Sequence, residues 1–205
     1  SLDEIKNTTC EIISSKTGFS NKICSDTTTP WKQIYEMSVL TYLVYDYSKY
    51  WTLDKLDYLD QFLQNNINNN NLSIIAEIKK ASPSAGIIIE NYDPLSIAEI
   101  YFKNKATCLS ILTEEDYFLG KLDHIKKIKQ KINLPVLCKD FFIDKFQVKL
   151  SKSYGADAIL IILAGVNEKI ADELYQEAIN QKMSVIVEVH TVDEAKKSLK
   201  YHEAL

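Results

Sequence analysis

An alternation of short apolar runs with amphipathic segments limits what this chain can fold into. Five apolar runs predict β-strands, and they are Ser73–Ile78, Thr107–Leu112, Leu134–Cys138, Ala158–Leu163 and Ser184–Val189. Segments with helical periodicity separate or follow them, and these are Pro94–Lys103, Lys121–Lys131, Asp144–Tyr154, Asn167–Gln181 and Val192–Tyr201. A strand every ~25 residues with a helix between predicts a parallel sheet with right-handed crossovers.

Two α/β architectures fit this repeat, a doubly wound sheet and a TIM (β/α)8 barrel. Neither a GxGxxG nor a GxxxxGK[ST] motif occurs, so a dinucleotide or Walker-type site has no support. The loop Ser82–Gly86 carries hydroxyls and free amide groups, and it is predicted either to cradle an anion or to form an ordinary turn.

Polar residues gather at or just after the carboxyl ends of the predicted strands. They are Glu77 and Lys79, Thr113 with Glu114 and Glu115, Lys139 and Asp140, and Glu188 and His190. Barrel active sites are built at this end from several strands. Because side chains alternate along a strand, Lys139 shares a face with Leu137 and Glu188 shares one with Ile186. The pattern favours a catalytic barrel mouth over an ion-pair network that holds the strands in register. His190 is a lone histidine at the end of a strand, and we interpret it as structural.

Composition narrows the classes of partner. A net charge of −4 gives no argument for nucleic acid or an anionic membrane, and no apolar run approaches the roughly 20 residues of a membrane span. The four cysteines include no CxxC pair and the three histidines are scattered, so no metal site is expected. Cys108 and Cys138 fall within predicted strands and are expected to be small buried residues, which favours a reducing, cytoplasmic location.

The first 72 residues differ in character from the rest and predict a separate extension. Residues 1–29 are poorly specified and carry no signal-peptide pattern. Apolar residues then recur at helical spacing from Trp31 to Leu43 and from Leu53 to Ile67. The asparagine-rich run Asn65–Asn71 is predicted to be a linker.

Four ordered motifs carry a resemblance to a known family. The stretch Ile75–Ser84 (IAEIKKASPS) resembles the first-strand signature of indole-3-glycerol phosphate synthase. Further matching blocks are Leu109–Gly120 (LSILTEEDYFLG), Leu134–Asp144 (LPVLCKDFFID) and Val187–Thr191 (VEVHT), and Gly155–Ile162 fits the fourth strand. The resemblance covers residues 73–205.

The resemblance implies a TIM (β/α)8 barrel whose first five βα units lie at 73–205. It also implies a largely helical N-terminal extension at 1–72 that covers the barrel mouth. The implied reaction is ring closure, decarboxylation and dehydration of 1-(2-carboxyphenylamino)-1-deoxyribulose 5-phosphate, which gives indole-3-glycerol phosphate in tryptophan biosynthesis. The implied enzyme is therefore a carboxy-lyase that acts on a phosphorylated small molecule and needs neither metal nor organic cofactor.

Roles of individual residues also follow from the resemblance. Lys139 would be the general acid, Glu188 its acid/base partner and Glu77 an assistant in later proton transfers. Lys79 would bind the carboxylate or phosphate region of the substrate and, in some proposals, donate a proton during dehydration. The residues expected to bind substrate are Ser82 at the phosphate and Leu112, Phe118 and Phe141 at the anthranilate ring.

The chain also departs from the family pattern. The family's sixth-strand Asn, seventh-strand Glu-Ser-Gly and eighth-strand Gly-Ser motifs do not occur, so we do not expect the isolated chain to be active. The first and fifth barrel strands would have open edges. Ala85 stands where many relatives carry a lysine, and Asn104-Lys105 replaces a usual glycine-containing turn.

Two other functions compete with the synthase. Phosphoribosylanthranilate isomerase, another phosphate-binding barrel, would use a Cys/Asp pair and would not need Lys79, Lys139 and Glu188. A catalytically silent fragment that acts as an interaction module would have lost these polar residues. The sequence leaves the oligomeric state open, and with it fusion to or association with other tryptophan-pathway enzymes.

Overall fold

The computed structural model describes residues 58–69, 71–202 and 204. Within them, five parallel strands pair in the order in which they occur along the chain. These are β1 (Ile75–Ile78), β4 (Cys108–Leu112), β5 (Val136–Lys139), β6 (Ala158–Ile162) and β7 (Ser184–Glu188). A doubly wound sheet reverses its strand order at a switch point, whereas a barrel runs in one direction. The unbroken order among the described strands therefore confirms a partial TIM barrel.

A small hairpin follows the first strand of the sheet. Strands β2 (Ala81–Ser82) and β3 (Gly86–Ile87) pair antiparallel, and Gly86 takes a positive φ of 64° in the turn. The backbone N–H of Ile88 donates to the carbonyl of Lys80 at 2.8 Å and closes the hairpin at its base. Residues 83–85 form the turn of this hairpin, which is one of the two alternatives predicted for Ser82–Gly86, and the backbone pairing on either side of the turn was not predicted.

Six α-helices occur in the described residues. They are α1 (Tyr58–Asn68), α2 (Pro94–Lys103), α3 (Leu122–Lys129), α4 (Lys145–Ser153), α5 (Glu168–Asn180) and α6 (Val192–Ser198). The predicted helix starts are confirmed by their caps. Asp93 accepts the N–H of Leu95, and Asp144 forms a capping box with Gln147. None of these helices is both long and apolar enough to cross a membrane.

The sheet has two apolar faces with different covers. The outer face packs against helices through residues such as Leu109, Cys138 and Ile161, all buried in the larger core cluster. The inner face forms a second cluster, and two leucines of α1 belong to it. Its buried members are Leu59, Leu63, Cys108, Leu137, Ala158, Leu160 and Ile186. Burial of a leucine side chain stabilises the fold by about 1.5–3 kcal/mol, so α1 is a substantial part of the inner core.

Helix α1 lies against the amino-terminal end of the sheet. The Tyr58 hydroxyl donates to Asn133 at 2.8 Å, just before β5. The Asn66 amide donates to the Thr107 hydroxyl at 3.0 Å, just before β4. The helical segment predicted to end at Ile67 ends at Asn68. These contacts explain why the helix includes part of the predicted Asn65–Asn71 linker, since tertiary bonds outweigh the low helix propensity of asparagine. Residues 1–57 lie outside the described residues, so a cover over the mouth stays a prediction for that part of the extension.

Candidate active site

A carboxylate lies between two ammonium groups at the carboxyl end of the sheet. Glu77 is in β1, Lys139 is the last residue of β5, and Lys79 follows β1 by one residue. The Glu77 Oε2 atom is 2.6 Å from Lys139 Nζ, and Oε1 is 2.9 Å from Lys79 Nζ. The structure thus brings three of the four predicted catalytic residues into one cluster, with side chains 16–26% exposed.

The charge state of this cluster follows from its contacts. Burial acts to raise the pKa of Glu77, but the charge of Lys139 and the hydrogen bonds from both lysines outweigh it. The pKa of Glu77 is therefore lowered below its ordinary value. At neutral pH the carboxylate is ionised, and it pairs with both ammonium groups beside it.

The strand register explains why these groups meet above an apolar floor. Glu77 pairs in register with Ser110, and Leu112 pairs with Lys139. In parallel strands, residues in register point to the same face, and this is the face that buries Leu137 and Ile186. The alternation predicted from the sequence is confirmed. Ser110 belongs to this same face of β4, and its buried hydroxyl has no hydrogen-bond partner among the described residues.

Glu188 ends β7, two strands away from Lys139 in the sheet. Its Oε1 atom is 3.1 Å from His190 Nε2, and the other ring nitrogen of His190 is 3.9 Å from Glu194. Among the described residues, the ion-pair partner of Glu188 is His190, and the structure does not bring it to the lysines. His190 was read as structural, and only its spacing two residues after Glu188 could have indicated this contact.

Two predicted ring-binding residues meet at the rim of the mouth. The rings of Phe118 and Phe141 lie 6.2 Å apart between centroids and are tilted by 53°. Phe141 is 50% exposed, whereas Leu112 is buried at the end of β4. A partly exposed aromatic pair beside charged groups suits a flat, partly apolar ligand.

A sequence model described as indole-3-glycerol phosphate synthase matches residues 36–204. The chain belongs to the indole-3-glycerol phosphate synthase family.

Relatives with this name share many residues with the chain. The indole-3-glycerol phosphate synthase of Exiguobacterium sibiricum is 40% identical over 140 residues, 68% of this chain and 54% of that protein. The same enzyme of Priestia megaterium is 46% identical over 131 residues, 64% of this chain and 51% of that protein. In Bacillus licheniformis the identity is 47% over 122 residues, 60% of this chain and 48% of that protein. The chain thus spans about half the length of the curated relatives it matches.

The predicted phosphate contact of this family member lies in the small hairpin. Ser82 is buried in β2, and its hydroxyl accepts the N–H of Ala85 at 3.2 Å. The hydroxyls of Ser82 and Ser84 are 3.4 Å apart. The hairpin therefore arranges two hydroxyls at one turn beside the end of β1.

The cysteines that the structure describes do not suit the Cys/Asp chemistry of the competing isomerase. Cys138 is on the outer face of the sheet, and burial raises the pKa of its thiol to about 12. Cys108 is at the start of β4, and burial likewise raises its thiol pKa to about 12. A buried thiol with so high a pKa is inert at neutral pH. Both cysteines are small buried residues, as predicted.

One contact at the mouth of this synthase-family barrel was missed by sequence reasoning. The Thr113 hydroxyl, just after β4, donates to Asp140 Oδ2 and lies 3.3 Å from Cys138 Sγ. The second oxygen of Asp140 accepts the N–H of Phe141 at 2.8 Å. Asp140 therefore ties the ends of β4 and β5 together. The sequence offered one indication of this contact, which is that Asp140 directly follows a strand and is next to Lys139.

Within residues 58–69, 71–202 and 204, no three histidine, cysteine or acidic side chains are grouped closely enough to hold an ion. The expectation of a metal-free site remains a prediction.

Proposed function

We propose that this chain is the catalytic part of an indole-3-glycerol phosphate synthase, whose reaction removes carbon dioxide and water as the indole ring closes. One observation carries the proposal. In a member of this family, the Glu77 carboxylate lies between the ammonium groups of Lys79 and Lys139 at the carboxyl end of the strands. Such a cluster can supply and accept protons without a metal or an organic cofactor.

Lys139 acts as the general acid in this proposal. Ring closure places negative charge on the substrate's carbonyl oxygen, and the Lys139 ammonium offers a proton to that oxygen as the new bond forms. Loss of carbon dioxide then restores electron density to the ring. Once Lys139 has regained a proton from solvent, it can protonate the hydroxyl that leaves as water, and Glu77 can take the carbon-bound proton whose loss completes the indole double bond.

Glu77 and Lys79 complete the proton chemistry. The ionised Glu77 carboxylate holds the Lys139 ammonium at 2.6 Å, which orients its remaining protons toward the mouth. Glu77 can also take a proton in the later steps. Lys79 carries a positive charge on the same side of β1 and attracts the carboxylate of the anthranilate moiety.

Glu188 acts as acid/base partner from the opposite side of the mouth. In the described state it contacts His190, so we propose that bound substrate draws its carboxylate inward. The move would exchange an exposed histidine contact for one with the substrate, which is a small rearrangement for a side chain at a strand end.

The binding residues divide by the chemistry of the substrate. We propose that Ser82 donates a hydrogen bond to the phosphate and that Phe118, Phe141 and the buried Leu112 hold the anthranilate ring. The Phe118–Phe141 pair and the Ser82 hairpin follow different strands, so the substrate would lie across the mouth. We further propose that the partner is this small phosphorylated molecule and that the protein works in the cytoplasm, where its thiols stay reduced.

A direct assay tests the function. The protein, in the longest form that its own cells make, is incubated with 1-(2-carboxyphenylamino)-1-deoxyribulose 5-phosphate, and indole fluorescence and released carbon dioxide are measured together. We expect equal molar amounts of both products, and the exposed-lysine control Lys145→Ala should react at the same rate. A folded protein that forms no indole product contradicts the proposal and favours the silent interaction module.

A further inference from the structure

A single carboxylate shapes the loop that follows β4. Glu114 Oε1 accepts the backbone N–H of Asp116 at 2.9 Å. Its Oε2 accepts two more, from Tyr117 at 2.8 Å and Phe118 at 2.9 Å. Three consecutive backbone donors therefore converge on one side chain, so the path of the loop depends on the Glu114 carboxylate.

The two ends of this loop are also tied together. The N–H of Gly120 donates to the Glu114 carbonyl at 2.7 Å. Leu119 takes a φ of 53°, which is uncommon for a residue with a side chain. A Cβ atom at Gly120 would lie 2.2 Å from the carbonyl oxygen of Leu112, so only glycine fits there. The loop is thus held in one closed shape at both its centre and its base.

The charge of Glu114 strengthens these hydrogen bonds. Burial acts to raise the pKa of Glu114, but the three backbone donors outweigh it and the pKa is lowered. The carboxylate is ionised at neutral pH, and hydrogen bonds to an ionised acceptor are stronger than those to a neutral one.

The residue that this loop presents is one of the two rim phenylalanines. Phe118 is the last of the three donors to Glu114, and its ring faces that of Phe141. Phe141 is held by Asp140 through its own N–H, so each ring follows a strand-end carboxylate that fixes its backbone. Side chains on backbone held in this way are pre-organised, which lowers the entropy lost when a ligand binds.

We propose that Glu114 is a positioning residue that fixes Phe118 beside Phe141 and so sets the affinity for the aromatic ring of the substrate. The inference rests on the proposed function. It adds that recognition of the ring depends on a carboxylate that does not touch the substrate.

Two variants and a matched control test this inference in steady-state kinetics. Glu114→Ala removes all three acceptor contacts, and we expect the KM for the substrate to rise roughly tenfold while kcat changes less than about twofold. Glu114→Gln keeps an oxygen for two of the donors and should restore part of the affinity. Glu115→Ala alters the exposed neighbouring acid and should leave both constants unchanged. Equal KM values in Glu114→Ala and the unmodified protein overturn the proposal.

A double-mutant cycle separates positioning from general loss of structure. If Glu114 acts through Phe118, Glu114→Ala should add almost nothing in a Phe118→Ala background, although each change alone raises KM. Fully additive effects overturn the proposal. Circular dichroism checks each variant, and Glu114→Gln carries the test if the alanine variant does not fold.

A binding measurement distinguishes this inference from the proposed function. If the unmodified protein forms no indole product, the proposed function fails, and the fluorescent probe N-methylanthranilate is titrated instead. Positioning predicts a dissociation constant roughly tenfold higher in Glu114→Ala and unchanged in Glu115→Ala. Equal affinities in the two variants, or no binding to the unmodified protein, overturn the positioning role.

Discussion

Lysine–carboxylate clusters lie at both ends of β5, and they are built differently. At the amino end, Asp157 Oδ2 accepts from Lys129 Nζ at 2.8 Å and from the N–H of Val136 at 2.9 Å. The same ammonium donates to the Leu134 carbonyl and lies 5.0 Å from the ring centroid of Tyr58. At the carboxyl end, within the described residues, both partners of the Glu77 carboxylate are lysine side chains.

The difference matches the roles that we propose, a structural ion pair at the amino end of β5 and a reactive cluster at its carboxyl end. The Asp157 cluster is balanced, one acid to one base, and its bonds to the backbone fix the start of a strand. In the Glu77 cluster one carboxylate serves two ammonium groups. Side chains can exchange partners when a ligand arrives, whereas backbone donors in a sheet cannot. We therefore expect changes at the carboxyl end to alter activity and changes at the amino end to alter stability.

The largest effect should come from the carboxyl end. Lys139→Ala removes the proposed general acid, and we expect turnover to be abolished, a loss of roughly a thousandfold or more. Stability should hardly change, because Glu77 keeps its contact with Lys79 at 2.9 Å. Indole fluorescence and thermal unfolding measure the two quantities on one sample. A variant that turns over like the unmodified protein would remove Lys139 from the mechanism.

A change at the amino end of β5 should lower stability and leave activity intact. Asp157→Ala removes the carboxylate partner of the Lys129 ammonium and the acceptor of the Val136 N–H, which should lower the free energy of unfolding by about 2–3 kcal/mol. Activity per folded molecule should stay unchanged. Urea unfolding measures the loss, and Asp193→Ala, which removes an exposed surface pair, is the control. Similar losses in both variants would contradict the assignment of Asp157 to the fold.

The pH dependence of stability should reveal the contribution of the Glu77 cluster at the carboxyl end of β5. The folded pKa of Glu77 is lowered from its ordinary value of 4.5, so its contribution to stability is present above about pH 4.5. That contribution is lost as the pH falls through the lowered folded pKa. We expect Glu77→Gln to show a flatter decline of stability with acid than the unmodified protein, as measured by urea unfolding at a series of pH values. Parallel curves would mean that the pKa of Glu77 is not lowered.

The smallest expected change in stability comes from the turn that precedes β4, at the amino end of the sheet. Lys105 takes a φ of 63° between α2 and β4, where the family usually has glycine nearby. Lys105→Gly should relieve this strain and raise the free energy of unfolding by about 0.5–1 kcal/mol without altering activity. Lys103→Gly, at the end of α2, is the control and should lower stability instead. A loss of stability in both variants would contradict this explanation.

The strands and the charged cluster could be predicted because their signals are local. Apolar runs and amphipathic periods located the five strands of the parallel sheet and the helices that follow them to within a few residues. The alternation of Glu77 and Lys79 at the end of β1 predicted a shared face. The motif resemblance then supplied Lys139 as their partner, and the structure brings it to Glu77.

The contacts that were missed depend on backbone direction, which a sequence pattern does not contain. Glu114 was noted as polar, but nothing in its neighbours indicates that three N–H groups turn back toward it. His190 was read as structural because a lone histidine at the end of a strand is more often structural than catalytic, and its contact with Glu188 at 3.1 Å was not predicted. The pairing of Ala81–Ser82 with Gly86–Ile87 was missed for a related reason, since two-residue strands leave no periodic pattern.

Helix α1 is synthesised before the strands that it packs against, and this order leaves its apolar side uncovered for a time. Leu59 and Leu63 leave the ribosome before any of the strands that bury them, and Ile186 follows about 120 residues later. At elongation rates of about 5–20 residues per second, the wait lasts roughly 6–25 seconds. During that interval the apolar side of the nascent helix has no part of the sheet to pack against. It is the stretch of the unfinished chain that a ribosome-bound chaperone should protect.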